Sequence, residues 1–395
     1  MKDIPNHHHF FIDPILNNIV FEKNTFSLFN KLITTPEFHR LNRIRQLGAT
    51  DIAFPCATHT RLSHSLGTYE ITRRFINHLE LFKKNPKRCV EVLCAALLHD
   101  LGHGPNSHSF EKYTGINHEF YTGQIILDPT TSINKILKAN KINPHSIVDI
   151  LQNTNNEWST SLVKSQIDAD RMDYLLRDSW YTGAEYGQIN PFYIISSSKL
   201  INKKICFEKK AIHEIENLLI GRFHMYAKVY NHPFSLKHEF VVRNLLKISR
   251  NIYKTNKNIF FNLPSFAPLK PWFEDKQFKV NQFLLIDDYV FTNFIQQLKK
   301  INNVTIQNLL KAYNDHSKIW IYEYKNDLLS TIKKKFITFD IVKTKRISIY
   351  NNTKSPISIY DNNLNKIIEL SNVSNLLRKL KNFSEQKTYI IGLKY

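Results

Sequence analysis

A chain of 395 residues exceeds the usual domain size of about 100–200, so one large core with an accessory unit is expected. A hydrophobic fraction of 42%, 12% aromatics, 10 glycines and 14 prolines exclude a disordered, collagen-like or low-complexity chain. Lys and Arg number 54 against 34 Asp and Glu, and the resulting formal charge of +20 favours anionic over cationic partners.

Lysine-rich runs such as KILKANKIN and NKKICFEKK fit a nucleic-acid surface and an AT-rich coding bias equally well. The cysteines Cys56, Cys89, Cys94 and Cys206 form no CxxC pair, so reduced thiols in a cytoplasm are expected. MKDIPNHHHFFIDP has no apolar targeting core and no run of 18 apolar residues occurs, so neither secretion nor a membrane span is expected. His7, His8 and His9 read as incidental rather than as a metal tract.

In chain order, residues 1–34 alternate weakly and suggest short extended segments around Pro14. Thr35, Pro36 and Glu37 form a helix start, and Phe38, Leu41, Ile44 and Leu47 continue the period until Gly48 closes it. A second helix carries Leu62, Leu66, Tyr69, Ile76 and Leu79. A third carries Val90, Leu93, Cys94, Leu97, Leu98 and Leu101, and stops at Gly102, Gly104 and Pro105. Further helical patterns run over about 162–179, 213–230 and 240–253, so the chain reads as mainly α to about residue 265.

PSFAPLKPW then breaks the chain, and FLLIDDYVFTNFIQQLKK suggests a helix pair. From Phe336 the pattern turns β-branched: KRISIY, SPISIYD and KTYIIGL read as strands, with a helix over NLLRKLKNF. The expected organisation is an extended segment over 1–34, a helical core over 35–265, and an accessory helical and α+β domain over 266–395.

Chemistry concentrates in three segments. HDLGHGPNSH sets His99 beside Asp100 at the end of a buried helix and adds His103 and His108 on a glycine-rich turn. Neighbouring helical residues point about 100 degrees apart, so His99 and Asp100 can share a cation only with ligands from other helices. In HTRLSHSLG, His64 lies off the Leu62, Leu66, Tyr69 stripe, as either a core histidine or a ligand. In IDADRMDYLLRDSW, Asp170, Tyr174, Arg177 and Asp178 fall on one helical face, which suits a site or a solvated charged surface.

Together FHRLNRIRQLG, FPCATHTRLSHSLG, LLHDLGHGPNSHSFE, NHEF and IDADRMDYLLRDSWYTG resemble, in order and spacing over about residues 10–300, the HD-domain phosphohydrolase superfamily and its dNTP triphosphohydrolase branch. The resemblance implies an HD-domain helical core with a small α+β C-terminal domain. It implies His64, His99, Asp100 and Asp170 as ligands of a divalent metal, which could be Fe, Mn or Zn, with Mg or Mn on the substrate phosphates.

The resemblance also implies His103, His108 and His118 as catalytic and phosphate-contacting imidazoles, with Glu111 orienting His108. Arg61, Arg171 and Arg222 would contact phosphates, and Gln46, Leu47, Tyr174, Asp178 and Tyr230 the deoxyribose. Asp168 reads as a helix-start residue rather than a ligand. A nucleotide substrate, most simply a dNTP, and a homodimer or homotetramer follow from the same likeness.

Rival readings are another HD-type nucleotide phosphohydrolase or phosphodiesterase, a single-strand nuclease, and a non-catalytic nucleic-acid-binding or nucleotide-sensing protein. An alarmone hydrolase is disfavoured because Leu101 and Gly102 stand where its acidic pair follows the HD dipeptide.

Overall fold

The computed structural model describes residues 10–153, 157–324, 336–353, 355–380 and 383–394; His7, His8 and His9 lie outside them. Seven helices position the site: α1 (Arg61–His78), α2 (Pro86–Leu98), α3 (His108–Thr114), α4 (His118–Leu127), α5 (Ala169–Thr182), α6 (Ile212–Met225) and α7 (Pro233–Thr255). The central helix α1 packs against both α2 and α5. Leu66, Tyr69, Ile71, Phe75 and Ile76 point to different sides of it and are all buried, as expected for a helix inside a large core rather than one with a single apolar stripe.

Gly67 makes the α1–α5 contact possible, because a Cβ there would lie 1.9 Å from Asp173 Oδ1. Helix α2 starts with Pro86 in its first turn and buries Val92 through Leu98. It ends at Leu98, three residues before the expected Leu101, with His99 as C-cap, so His99 and Asp100 sit on the turn that leaves the core.

The helix expected from Thr35 to Gly48 forms only in part. Thr35 does cap it, its hydroxyl accepting from Phe38 N at 3.2 Å, but the α-helix covers Pro36–His39 and a 3-10 turn Arg40–Arg43. Tertiary bonds override the periodicity: Arg40 is buried and donates to the Ile286 and Leu101 carbonyls, Ile44 turns extended, and Gln46 N bonds His59 O at 3.0 Å. Gln46 and Leu47 thereby run beside the start of α1.

The pattern expected over 162–179 becomes α5, which starts at Ala169 because Asp168 caps it, accepting from Arg171 N at 2.7 Å. Helix α6 is followed by a π turn over Tyr226–Tyr230 rather than by straight helix. Such turns are rare and frequently occur at functional sites.

Among the described residues, four small sheets complete the fold. β1 (Phe10–Asp13) and β2 (Asn17–Val20) form an antiparallel hairpin. β3 (Ser198–Ile201) and β4 (Lys204–Glu208) form another within the region expected to be helical; its two-residue turn, Asn202 and Lys203, has φ of 50° and 62°, as a primed turn requires. β4 runs parallel to β8 (Ser358–Asp361), which pairs with β9 (Lys366–Glu369), so one sheet joins the helical core to the C-terminal region.

There, β5 (Ile319–Glu323) and β6 (Phe336–Lys343) flank β11 (Thr388–Lys394), and the KRISIY strand shrinks to β7 (Ile347–Ser348), paired with β10 (Ser384–Glu385). The helix expected over NLLRKLKNF spans Asn375–Leu380. Among the described residues no helix is long and apolar enough to cross a membrane.

Candidate active site

His64 from α1, His99 and Asp100 from the turn after α2, and Asp170 from the first turn of α5 converge in one cleft. His64 Nε2 lies 3.2 Å from His99 Nε2 and 3.0 Å from Asp170 Oδ1, and His99 Nε2 lies 3.2 Å from Asp100 Oδ1. The other ring nitrogens are engaged: His64 Nδ1 with Asp173 Oδ2 at 2.8 Å, and His99 Nδ1 with the Ala96 carbonyl at 2.9 Å. A neutral imidazole that donates from Nδ1 turns an Nε2 lone pair toward the cleft; donor atoms of His64, His99 and Asp100 lie within 4.8 Å of one another, and Asp170 Oδ1 stands 3.0 and 3.6 Å from the two imidazoles.

This donor set fits a divalent transition ion. The field agrees. Burial opposes a charge on His64, yet hydrogen bonds to Asp170 and Asp173, with Asp100 nearby, push its imidazole up to about 10. Burial also opposes ionisation of Asp170, but His64 and His99 hold it well below the ordinary carboxylate range. The cluster therefore attracts positive charge.

The second group is a nest of imidazoles. His103 stacks on His118 with ring centres 3.9 Å apart, and His108 meets both edge to face. Glu111 accepts from His118 Nδ1 at 2.7 Å and stands 4.0 Å from His108 Nδ1, so it engages both rings and His118 the more closely. His103 lies well below its ordinary value, because burial and then the charges of Arg61 and the other histidines disfavour its protonated form. His108 is 65% exposed at the cleft mouth.

Arg61 is buried; it donates to Ser107 Oγ at 2.9 Å and pairs with Asp100. Ser107 and Asn106 adopt left-handed φ of 54° and 56° just before α3, backbone strain of the kind that collects at functional turns. Arg171 also lines the cleft, and Asp168, its helix cap, lies 3.7 Å from its Nε.

A second chamber opens beside the first. Leu47, Tyr226 and Tyr230 line it, and Gln46, Arg61, His108 and Tyr174 line both. In it the Tyr230 hydroxyl donates to Asp178 Oδ2 at 2.7 Å, and Asp178 Oδ1 bonds His59 Nε2 at 2.8 Å. Gln46 Oε1 is buried without a hydrogen-bond partner, in a residue that lines both chambers. Arg222 lines neither chamber but lies 5.7 Å from the Tyr226 ring centre.

One expected face of α5 does not hold. Arg177 is fully buried away from the cleft, bonded to Asp173 at 2.8 and 2.9 Å and to Asp13 at 2.8 Å. Sequence reasoning also missed Asp173, which orients His64, and His59, which holds Asp178. The i,i+4 spacing of Asp173 and Arg177 was the available signal for the first.

The HD domain family profile matches residues 61–178, from the first residue of α1 to Asp178 on α5. Protein MG461 of Mycoplasma genitalium is 36% identical over 341 residues, covering 80% of this chain and 79% of that protein. The deoxynucleoside triphosphate triphosphohydrolase SAMHD1 homolog of Dictyostelium discoideum is 29% identical over 237 residues, covering 53% of this chain and 44% of that protein. A crystal structure of a phosphohydrolase from Bacteroides thetaiotaomicron shares the fold, with a TM-score of 0.80 over 98% of this chain and 100% of that one, at 23% identity. The chain belongs to the HD-domain superfamily, where it is similar to dNTPase-like members, and is an HD-domain phosphohydrolase with His and Asp groups that could hold a divalent metal.

Proposed function

We propose that the protein hydrolyses deoxynucleoside triphosphates to deoxynucleosides and inorganic triphosphate. One observation carries this reading: the His and Asp cluster and the aromatic chamber with its Asp178 to Tyr230 bond adjoin, sharing Gln46, Arg61, His108 and Tyr174 in their linings. A phosphate chain in the first and a sugar and base in the second leave the α-phosphorus between them.

His64, His99, Asp100 and Asp170 would hold the divalent ion, which when bound supplies Lewis acidity and lowers the pKa of water toward about 7. Arg61 and Arg171 neutralise phosphate charge. Water oxygen bonds to the α-phosphorus, the bond from phosphorus to the 5′ oxygen breaks, and that oxygen takes a proton from His108 or His118 as triphosphate separates from the deoxynucleoside. Glu111 is held down to about 2 by its contacts with His108 and His118, so it stays anionic near neutrality and holds the His118 ring through Nδ1. Gln46 and Asp178 bond the 3′ hydroxyl, and the Tyr230 ring fills the space beside C2′.

The test is a panel of dNTPs, NTPs, cyclic nucleotides and single-stranded DNA with Mn, Mg, Fe or Co, products being separated by chromatography. Deoxynucleoside plus triphosphate is expected from dNTPs. Release of monophosphate and pyrophosphate, or equal cleavage of GTP and dGTP, refutes the dNTPase assignment and leaves the phosphohydrolase.

A further inference from the structure

Three successive residues, Ile286, Asp287 and Asp288, lie outside the 61–178 span of the HD profile and dock on the segment that leads to Gln46. The Ile286 carbonyl accepts from Arg40, Asp287 pairs with Arg43 at 2.6 Å, and Asp288 Oδ2 accepts from Arg45 N at 2.8 Å. Asp288 reaches further, its Oδ1 accepting from Asn106 N at 2.8 Å. An acid in the first turn of a helix ordinarily serves that helix's own N–H groups. Here Asp287 is the cap, accepting from Val290 N at 2.9 Å, and the two Asp288 oxygens go to N–H groups of two other segments.

Those two segments face each other across the second chamber, which Gln46 and Leu47 line from one side and Asn106, Ser107 and His108 from the other. Ser107 Oγ donates to the Arg45 carbonyl at 2.6 Å and accepts from Arg61 Nε. Gly48, at a φ of 57°, lets the segments approach so closely that a Cβ there would lie 2.7 Å from the Asn106 carbonyl oxygen. Asn106 and Ser107, both left-handed, lead straight into His108 at the start of α3. Such backbone persists only where its surroundings over-determine it. A carboxylate on the Asn106 N–H is a charge-assisted bond that supplies this constraint, and without it the N–H loses its acceptor and the turn its tether.

We propose that Asp288 is a positioning residue for the hydrolysis: by clipping Arg45 to Asn106 it sets where His108 stands beside the His and Asp cleft. This rests on the reading that gives His108 a part in the reaction, and adds to it a residue that lines neither chamber.

The experiment compares the full chain with Asp288→Ala, Asp288→Asn, His108→Gln and the double variant Asp288→Ala with His108→Gln. It measures kcat and KM for dGTP, metal content, and hydrogen exchange of the Asn106 amide by mass spectrometry. In Asp288→Ala, kcat is expected to fall about 10- to 100-fold, the scale of misplacing a reacting group by about 1 Å, with metal content unchanged and the Asn106 amide exchanging faster. Asp288→Asn keeps the side chain's volume and one acceptor oxygen, so it loses less, and it carries the same test if the alanine variant does not fold. With His108 already replaced, removing Asp288 costs no further turnover, a coupling that a merely structural contact does not produce. An Asn106 amide as protected as in the full chain, an unchanged kcat, or the same loss with and without His108 overturns the proposal. Failure of the parent reading looks different: the unsubstituted chain then leaves dGTP uncleaved, while the Asn106 amide still exchanges faster in Asp288→Ala.

Discussion

Replacing Asp173 by Asn tests whether His64 is held as a metal ligand or merely packed. Asp173 has no solvent exposure and serves three donors: His64 Nδ1 at 2.8 Å, and Arg177 Nε and Nη2 at 2.9 and 2.8 Å. Asparagine keeps the shape but offers one acceptor oxygen, so its amide N–H2 faces either Arg177 or His64. Facing His64, it selects the tautomer with the proton on Nε2 and removes the lone pair from the metal cleft.

Loss of such an outer partner costs about 10- to 100-fold in metal affinity, equivalent to about 1.4 to 2.7 kcal/mol. Stability falls as well, by up to about 3–5 kcal/mol if the buried Arg177 charge is left with Asp13 alone. Competition with a chromogenic chelator measures the first quantity, and urea unfolding of the chelator-treated protein the second. Unchanged Mn and Co affinity in a folded Asp173→Asn protein refutes the orienting role.

Three further outcomes are expected. His118→Gln keeps its metal but loses turnover by about 100- to 10,000-fold, the range of general acid catalysis, and unchanged kcat removes His118 from the reaction. Tyr230→Ala opens the space beside C2′ and raises the ratio of GTP to dGTP cleavage toward 1, whereas Asp178→Asn weakens every nucleotide bearing a 3′ hydroxyl; comparing kcat/KM for the two substrates separates them, and an unchanged ratio in Tyr230→Ala removes the steric gate. His238 is lowered from the ordinary 6.5 to about 3 by burial and then by the charge of His316, so between these values the unfolded chain binds the extra proton. Its contribution to stability is complete above pH 6.5 and is lost as pH falls toward 3, at up to about 1.4 kcal/mol per pH unit. Urea midpoints from pH 7 to 4 are expected to fall less steeply in His238→Gln, and identical slopes refute the assignment.

Legibility in the sequence followed the range of the interactions. Helices α1, α2 and α5 announce themselves because their apolar patterns are local, and His64, His99, Asp100 and Asp170 stand in motifs whose resemblance to the HD-domain superfamily implies a shared cleft. The break at Ile44 was illegible because it depends on Arg40 reaching the carbonyl of Ile286, 246 residues away. The β3–β4 hairpin did carry a signal, two short β-branched or apolar runs around Asn202 and Lys203, masked by lysines that read as compositional bias. Arg177 was placed on the wrong face because a helical wheel assumes one solvent side, and α5 is buried on more than one.

On the proposed dNTPase reading, the same helix couples metal, sugar and stability. Along α5, Asp170 lines the His and Asp cleft, Tyr174 lines both chambers, and Asp178 accepts from Tyr230 in the second, at successive i+4 steps on one line. Behind that line Asp173 and Arg177 tie the helix to α1 and to Asp13 of β1, while Gly67 admits the close approach. A shift of α5 along its axis therefore moves a ligand, a chamber wall and the sugar anchor together. Substitution of Gly67 by alanine is incompatible with the present spacing, since the new methyl would occupy the position of Asp173 Oδ1. The helix would have to withdraw, and metal affinity and deoxyribose selection would decline together.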